Sequence, residues 1–165
     1  MRRGVVALLA GAAVALTGCS APSQPEITFF ADGRTVVADP LIYCDALVTK
    51  CADHGDAVHL QVRPGKPVQV SVPSEVSGTP WAVNVQYVNG AGQLQPVRQQ
   101  VFTDGKQHAY TVTTGADEQL VVVEIQQLGA AYAADQQGNP ILDENGQPQL
   151  VVRGVWSLQI NPAQS

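Results

Sequence analysis

From Ile27 onward apolar and polar residues alternate with a period of two, and turn residues break the alternation at short intervals. That pattern predicts strands joined by tight turns. The clearest case is Trp81, Val83, Val85 and Tyr87 alternating with Ala82, Asn84, Gln86 and Val88. A strand sends successive side chains to opposite faces, so the Trp/Val/Tyr face is expected in the core. Further strands are expected over 27–30, 35–38, 57–62, 68–72, 97–102, 109–114, 120–127 and 150–160. Asp32-Gly33 marks a hairpin turn, and the prolines and glycine between Arg63 and Pro67 block any continuous strand there. The only helix-prone patch, 130–134, is too short to stand alone. Seven to nine short strands with a tryptophan on an inward face predict an all-β fold, a two-sheet immunoglobulin-like sandwich.

The N-terminus follows a different pattern. Arg2 and Arg3 precede an apolar run from Gly4, and Leu16-Thr17-Gly18 lead into Cys19. A basic start, an apolar core and small residues before a cleavage point are the layout of an export signal. The run falls short of the ~20 apolar residues that cross a bilayer, so cleavage is favoured over a retained anchor helix. The string Leu16 to Cys19 resembles the lipobox of bacterial lipoproteins. That resemblance implies a diacylglyceryl group on the Cys19 thiol, cleavage before Cys19 and an acylated mature N-terminus. The expected organisation is a signal peptide over 1–18, a lipidated cysteine with an extended tether over 19–26, and one domain over 27–163. The tether, Ser20 to Glu26, has two prolines and no apolar periodicity. At ~3 Å per residue it would set the domain about 20 Å from the lipid.

Charge and cysteines sharpen this picture. Loss of Arg2 and Arg3 leaves seven Lys and Arg against 14 Asp and Glu, a net charge of −7. Such a chain, with no basic cluster, has little attraction for nucleic acid or anionic headgroups. The expected membrane attachment is therefore the lipid itself, since two or more acyl chains anchor stably without a basic patch. The expected location is the extracytoplasmic face of the cell membrane. With Cys19 lipidated, Cys44 and Cys51 remain as a pair, which outside the cytoplasm normally oxidises. A disulfide closing this eight-residue ring would contribute about 2.5 kcal/mol by loop entropy. It is too local to pin two sheets together, unlike the bridge of a true immunoglobulin domain.

The chain holds one internal repeat. Asp-x-x-Gly-x-Pro-x-Leu occurs from Asp135 to Leu142 and again from Asp143 to Leu150. Asp accepts from nearby backbone amides and Gly takes a positive φ, so each unit predicts a tight turn. The two form an excursion over 129–150, of a length that is either functional or mobile. Its candidate binding residues are Tyr132, an aromatic anchor beside the repeat, with Asp135, Asp143 and Glu144.

Catalytic and metal chemistry are weakly signalled. Asp53, His54, Asp56 and His59 follow Cys51 and offer imidazole and carboxylate ligands, so divalent metal binding or delivery is the alternative expectation. The oxygen ligands of the repeat lack the spacing of a calcium loop. No serine lies in a Gly-x-Ser-x-Gly elbow, and no glycine string has phosphate-binding form. No cofactor and no enzymatic activity are expected.

The lipobox, the Cys44/Cys51 pair, the passage from Val72 to Trp81 and the turn-rich segment before a terminal Val-Val-Arg-Gly-Val-Trp strand together resemble a family of actinobacterial envelope lipoproteins classed as a domain of unknown function. The resemblance covers most of 19–162. It implies a cell-envelope lipoprotein and carries over no active-site residue. The expected function is non-enzymatic binding of another envelope component, protein or glycan, through loops.

Overall fold

The computed structural model describes residues 24–53, 55–143 and 145–162. Cys19 and the signal segment lie outside the described residues, as do His54 and Glu144. The described residues form eleven strands: β1 (Ile27–Ala31), β2 (Arg34–Ala38), β3 (Ile42–Cys44), β4 (Cys51–Asp53), β5 (Val58–Val62), β6 (Val68–Ser71), β7 (Trp81–Val88), β8 (Arg98–Phe102), β9 (Ala109–Val112), β10 (Gln119–Tyr132) and β11 (Leu150–Pro162). One helical turn, α1 (Ser74–Ser77), links β6 to β7. The four-stranded sheet runs β2-β1-β6-β9, and the seven-stranded sheet runs β4-β3-β11-β10-β7-β8 with β5 beside β11. All pairs are antiparallel except β5 with β11. The fold is the all-β, two-sheet sandwich that the alternation predicts.

The inner faces close on one another as the period of two requires. Ile27 and Phe29 from β1, Val68 and Val70 from β6 and Val112 from β9 meet Trp81, Val83, Ile125, Trp156 and Leu158 from the larger sheet. Aromatic rings bridge the sheets: Trp81 stacks on Phe102 with centroids 4.4 Å apart, and Phe102 meets Tyr110 at 5.3 Å. Asp32 and Gly33 both take positive φ, 48° and 78°, the two-residue turn whose twist matches that of the flanking strands. The Arg63 guanidinium holds Asp32 from two nitrogens, Nε at 2.7 Å, and this hydrogen bonding keeps the Asp32 carboxyl down at about 2.

The structure differs from expectation in four places, each with a local cause. β3 and β4 are three-residue strands, too short to show alternation, and bring the count to eleven. The helix-prone patch over 130–134 is extended instead: Ala130 to Tyr132 end β10, where Tyr132 pairs with Leu150 of β11, and Ala134 bridges to Pro140. Gln127 occupies an inward position fully buried; its amide donates to the Glu75 carbonyl and to Thr79 Oγ1, both at 2.9 Å, fixing the α1 turn. The end of the tether is docked as well, since Trp156 Nε1 donates to the Pro25 carbonyl at 2.9 Å.

Cys44 and Cys51 are bonded and face each other directly across β3 and β4. As the spacing implied, the bridge is local. It holds a loop in which Asp45 accepts from Thr49 N and Oγ1, at 2.8 and 2.6 Å. These bonds, the Thr49 hydroxyl foremost, lower the Asp45 carboxyl below its ordinary value.

Gly154 makes room for the ring packing beside this hairpin. A Cβ there would lie 2.7 Å from Trp156 Cη2 and 2.9 Å from Tyr43 Cδ2. Gly154→Ala is expected to destabilise the domain by about 1–3 kcal/mol through overpacking, read as a lower denaturant midpoint with an unchanged slope.

Candidate functional site

The two repeat units fold into one compact device. Asp135 Oδ1 accepts from Gln137 N and Asn139 N, both at 2.9 Å; Asp143 Oδ1 accepts from Asn145 N and Gln147 N, both at 2.8 Å. Gly138 and Gly146 complete the turns at φ 84° and 75°. Between the turns three residues eight apart bond in a ring: Ala133 N donates to Gln149 O, Gln149 N to Ile141 O, and Ile141 N to Ala133 O, at 2.8, 2.9 and 2.8 Å. The period of eight in the sequence thus becomes a closed cycle of backbone bonds. The excursion is a capped extension of the β10–β11 hairpin rather than a loose loop.

The repeat carboxylates serve this framework. Besides its two amides, Asp135 takes the Asn139 side chain at 3.1 Å, and that side chain is the leading cause holding its carboxyl below the usual value. Tyr132 is 60% exposed at the foot of the extension. Glu144 lies outside the described residues.

The capped hairpin walls a groove of about 430 Å³ on the outer face of the seven-stranded sheet. Asp143, Pro148 and Gln149 form the wall. Across the floor, Val101, Ala82 and Gln126 lie in register on β8, β7 and β10, with Leu128, Leu150 and Val152 beside the wall. In the next row Gln99, Asn84 and Glu124 lie in register. Gln99 Nε2 donates to Asn84 Oδ1 at 2.8 Å, and Gln126 Nε2 to Glu124 Oε1 at 2.7 Å. A second hollow, lined by Gln86, Val97 and Val122 together with Asn84 and Glu124, extends the surface along the same face. A floor of small apolar groups flanked by amides suits an elongated, largely uncharged polymer.

Of the expected site residues, the groove takes Asp143 alone; Tyr132 and Asp135 stand on the same extension outside it. The floor residues Ala82, Gln99, Val101 and Gln126 were not among the expected ones. For Ala82 a signal was present, since Ala82, Asn84 and Gln86 are the outward half of the alternating strand that identified the core.

Other chemistry is arranged less favourably. His59 and Asp53 are exposed on β5 and β4, Asp56 is exposed between them, and the Cys51 thiol is bonded to Cys44. Among the described residues no three His, Cys, Asp or Glu side chains are grouped to hold a metal. Among the described residues Ser77 Oγ lies 2.8 Å from His108 Nδ1. Ser77 is fully buried, so its hydroxyl is closed to substrate, and the pair fastens α1 to the segment before β9. Between the free edges of β8 and β9 a cleft of about 340 Å³ opens above Val83, Val85 and Val112. Arg98 spans it, stacked 4.3 Å from the Tyr87 ring centroid and donating to Thr113 O at 2.9 Å.

Comparison with known proteins gives the chain's relations. Residues 20–161 match a family described as a protein of unknown function, DUF2771. Uncharacterised proteins of Mycobacterium bovis and Mycobacterium tuberculosis are each 27% identical over 161 residues, which covers 94% of this chain and 88% of theirs. No solved structure matches the chain. The chain belongs to the DUF2771 family.

Proposed function

We propose that this member of the DUF2771 family is a lipid-anchored extracytoplasmic lipoprotein that binds another envelope component, protein or glycan, without catalysing a reaction on it. The single observation that carries the binding role is the groove on the outer sheet face under the doubled turn. Loops held by a rigid sandwich are where such domains usually place function. Here the loop is held twice over, by the aspartate clamps and by the ring of backbone bonds. An elongated polymer with hydroxyl or amide groups can pair with Gln99, Gln126 and Gln149 while covering Val101 and Val152. The anchor rests on the sequence, on Leu16 to Cys19 behind an apolar run.

The test removes the wall and keeps the sandwich. Because Ala133 N bonds Gln149 O and Tyr132 pairs with Leu150, residues 134–148 can be replaced by an Asn-Gly turn that closes the same hairpin. The protein is incubated with isolated cell-wall glycan and, separately, with detergent-extracted envelope proteins. The native chain is expected to be retained on one of these and the turn variant to lose at least tenfold of that retention at an unchanged melting temperature. Equal retention of both would place the binding site elsewhere.

A further inference from the structure

The end of the sandwich at which the chain enters also carries a group of exposed apolar side chains on neighbouring segments. β1 starts there at Ile27, just after Pro25 is held by Trp156. Thr28 pairs with Ser71, α1 follows, and β7 begins at Trp81 opposite Gln127 of β10, so all of these sit at one end. β10 continues beyond Gln127 into the capped hairpin, where Tyr132, Ile141 and Leu142 are 60%, 43% and 53% exposed. The disulfide loop lies against that hairpin. Val48 Cγ2 is 3.1 Å from where a Cβ on Gly129 would be, and Arg153 Nε donates to Cys44 O at 3.1 Å. Leu47, next to Val48, is 75% exposed.

We infer that this end is a second contact with the bilayer, with Leu47, Tyr132, Ile141 and Leu142 entering the interfacial layer once the Cys19 lipid has brought the domain down. The inference rests on the anchor reading above and goes beyond it. From Cys19 to Pro25 there are six residue steps, at most about 20 Å of chain. Pro25 therefore stays within that distance of the lipid, which brings the apolar loops at this end of the sandwich within reach of the bilayer surface. Single exposed apolar side chains are ordinary, but four large ones on two loops packed together are the composition of an interfacial contact. Tyrosine belongs at headgroup level, with its ring in the apolar boundary and its hydroxyl in water. Among the described residues, Asp45, Asp135 and Asp143 on these loops spend their carboxylates on their own turns: Asp45 holds Thr49, and Asp135 and Asp143 accept from the amides two and four residues on. The contact also orients the domain, holding the groove beside the membrane surface rather than free to turn on a tether.

Depth-dependent quenching tests this on the full lipidated chain in phosphatidylcholine vesicles carrying a brominated lipid. The native tryptophans are buried, Trp81 at 1% and Trp156 at 0% exposure, so an added surface tryptophan reports its own position. Leu142→Trp is compared with Leu94→Trp, which lies at the opposite end, where Leu94 bridges to Val88. Bromolipid is expected to quench the added tryptophan at 142 at least threefold more than the one at 94. Equal quenching at the two positions, with the protein still sedimenting with the vesicles, would overturn the contact and leave the anchor standing. A protein that fails to sediment with them would overturn the anchor and the contact together.

Discussion

Trp156→Ala is expected to remove about 3–5 kcal/mol from the stability of the domain. Trp156 is fully buried on β11 opposite Ile125, in the middle of the longest strand pair. Its ring meets Tyr43 at 6.0 Å, lies over the space left by Gly154, and donates to the Pro25 carbonyl. Truncation opens a cavity among residues held by two sheets and frees the N-terminal segment at the same time. Against a typical total of about 5–15 kcal/mol the loss is a fifth or more, equivalent to roughly 10 °C in melting temperature. Trp156→Phe separates the two effects. It keeps most of the ring and loses the bond to Pro25, so it should cost less and move the first proteolytic cut closer to Ile27. A Trp156→Ala protein with the native denaturant midpoint would show that the core does not depend on this ring.

The second large effect is one of location. Cys19→Ser is expected to move the protein from the membrane pellet to the soluble fraction almost completely. A chain beginning at residue 19 has a net charge of −7 and no basic cluster, so electrostatic attraction to anionic lipid would not replace the proposed acyl chains. Among the described residues no helix is long and apolar enough to cross a bilayer. The four apolar side chains proposed to meet the bilayer would add to a lipid anchor and are too few to substitute for one. Retention of the signal-cleaved variant in the pellet would show that the attachment lies elsewhere.

How much of this was legible in the chain depends on whether the cause was local. The strand from Trp81 to Val88 could be read with its correct inward face because alternation is a property of consecutive residues. The turns at Asp135 and Asp143 were legible for the same reason, since an aspartate accepting from amides two and four residues on needs nothing from elsewhere. β3 and β4 were not, being three residues each and dependent on β11 and the disulfide for their partners. The alanines over 130–134 show propensity losing to pairing, as Tyr132 finds Leu150 across the hairpin. Gln127 reads as a surface residue until α1 is placed over it.

The candidate site divides in the same way. The repeat was visible as a repeat, yet its closed ring of bonds and its position over β7, β8 and β10 depend on where β10 and β11 carry it. Asp135 and Asp143 stood out as ligands by residue type, whereas the structure engages both in holding turns. Amides such as Gln99 and Gln126, unremarkable in sequence, become groove residues only when register places them beside Ala82 and Asn84.

Whether the domain is held to the membrane through Cys19 is decided by the mass of the N-terminal peptide from membrane-fraction protein. The expected peptide begins at Cys19 and carries a diacylglyceryl group, with or without a further acyl chain on its amine. A peptide that retains residues before Cys19, or begins there with an unmodified thiol, would contradict it.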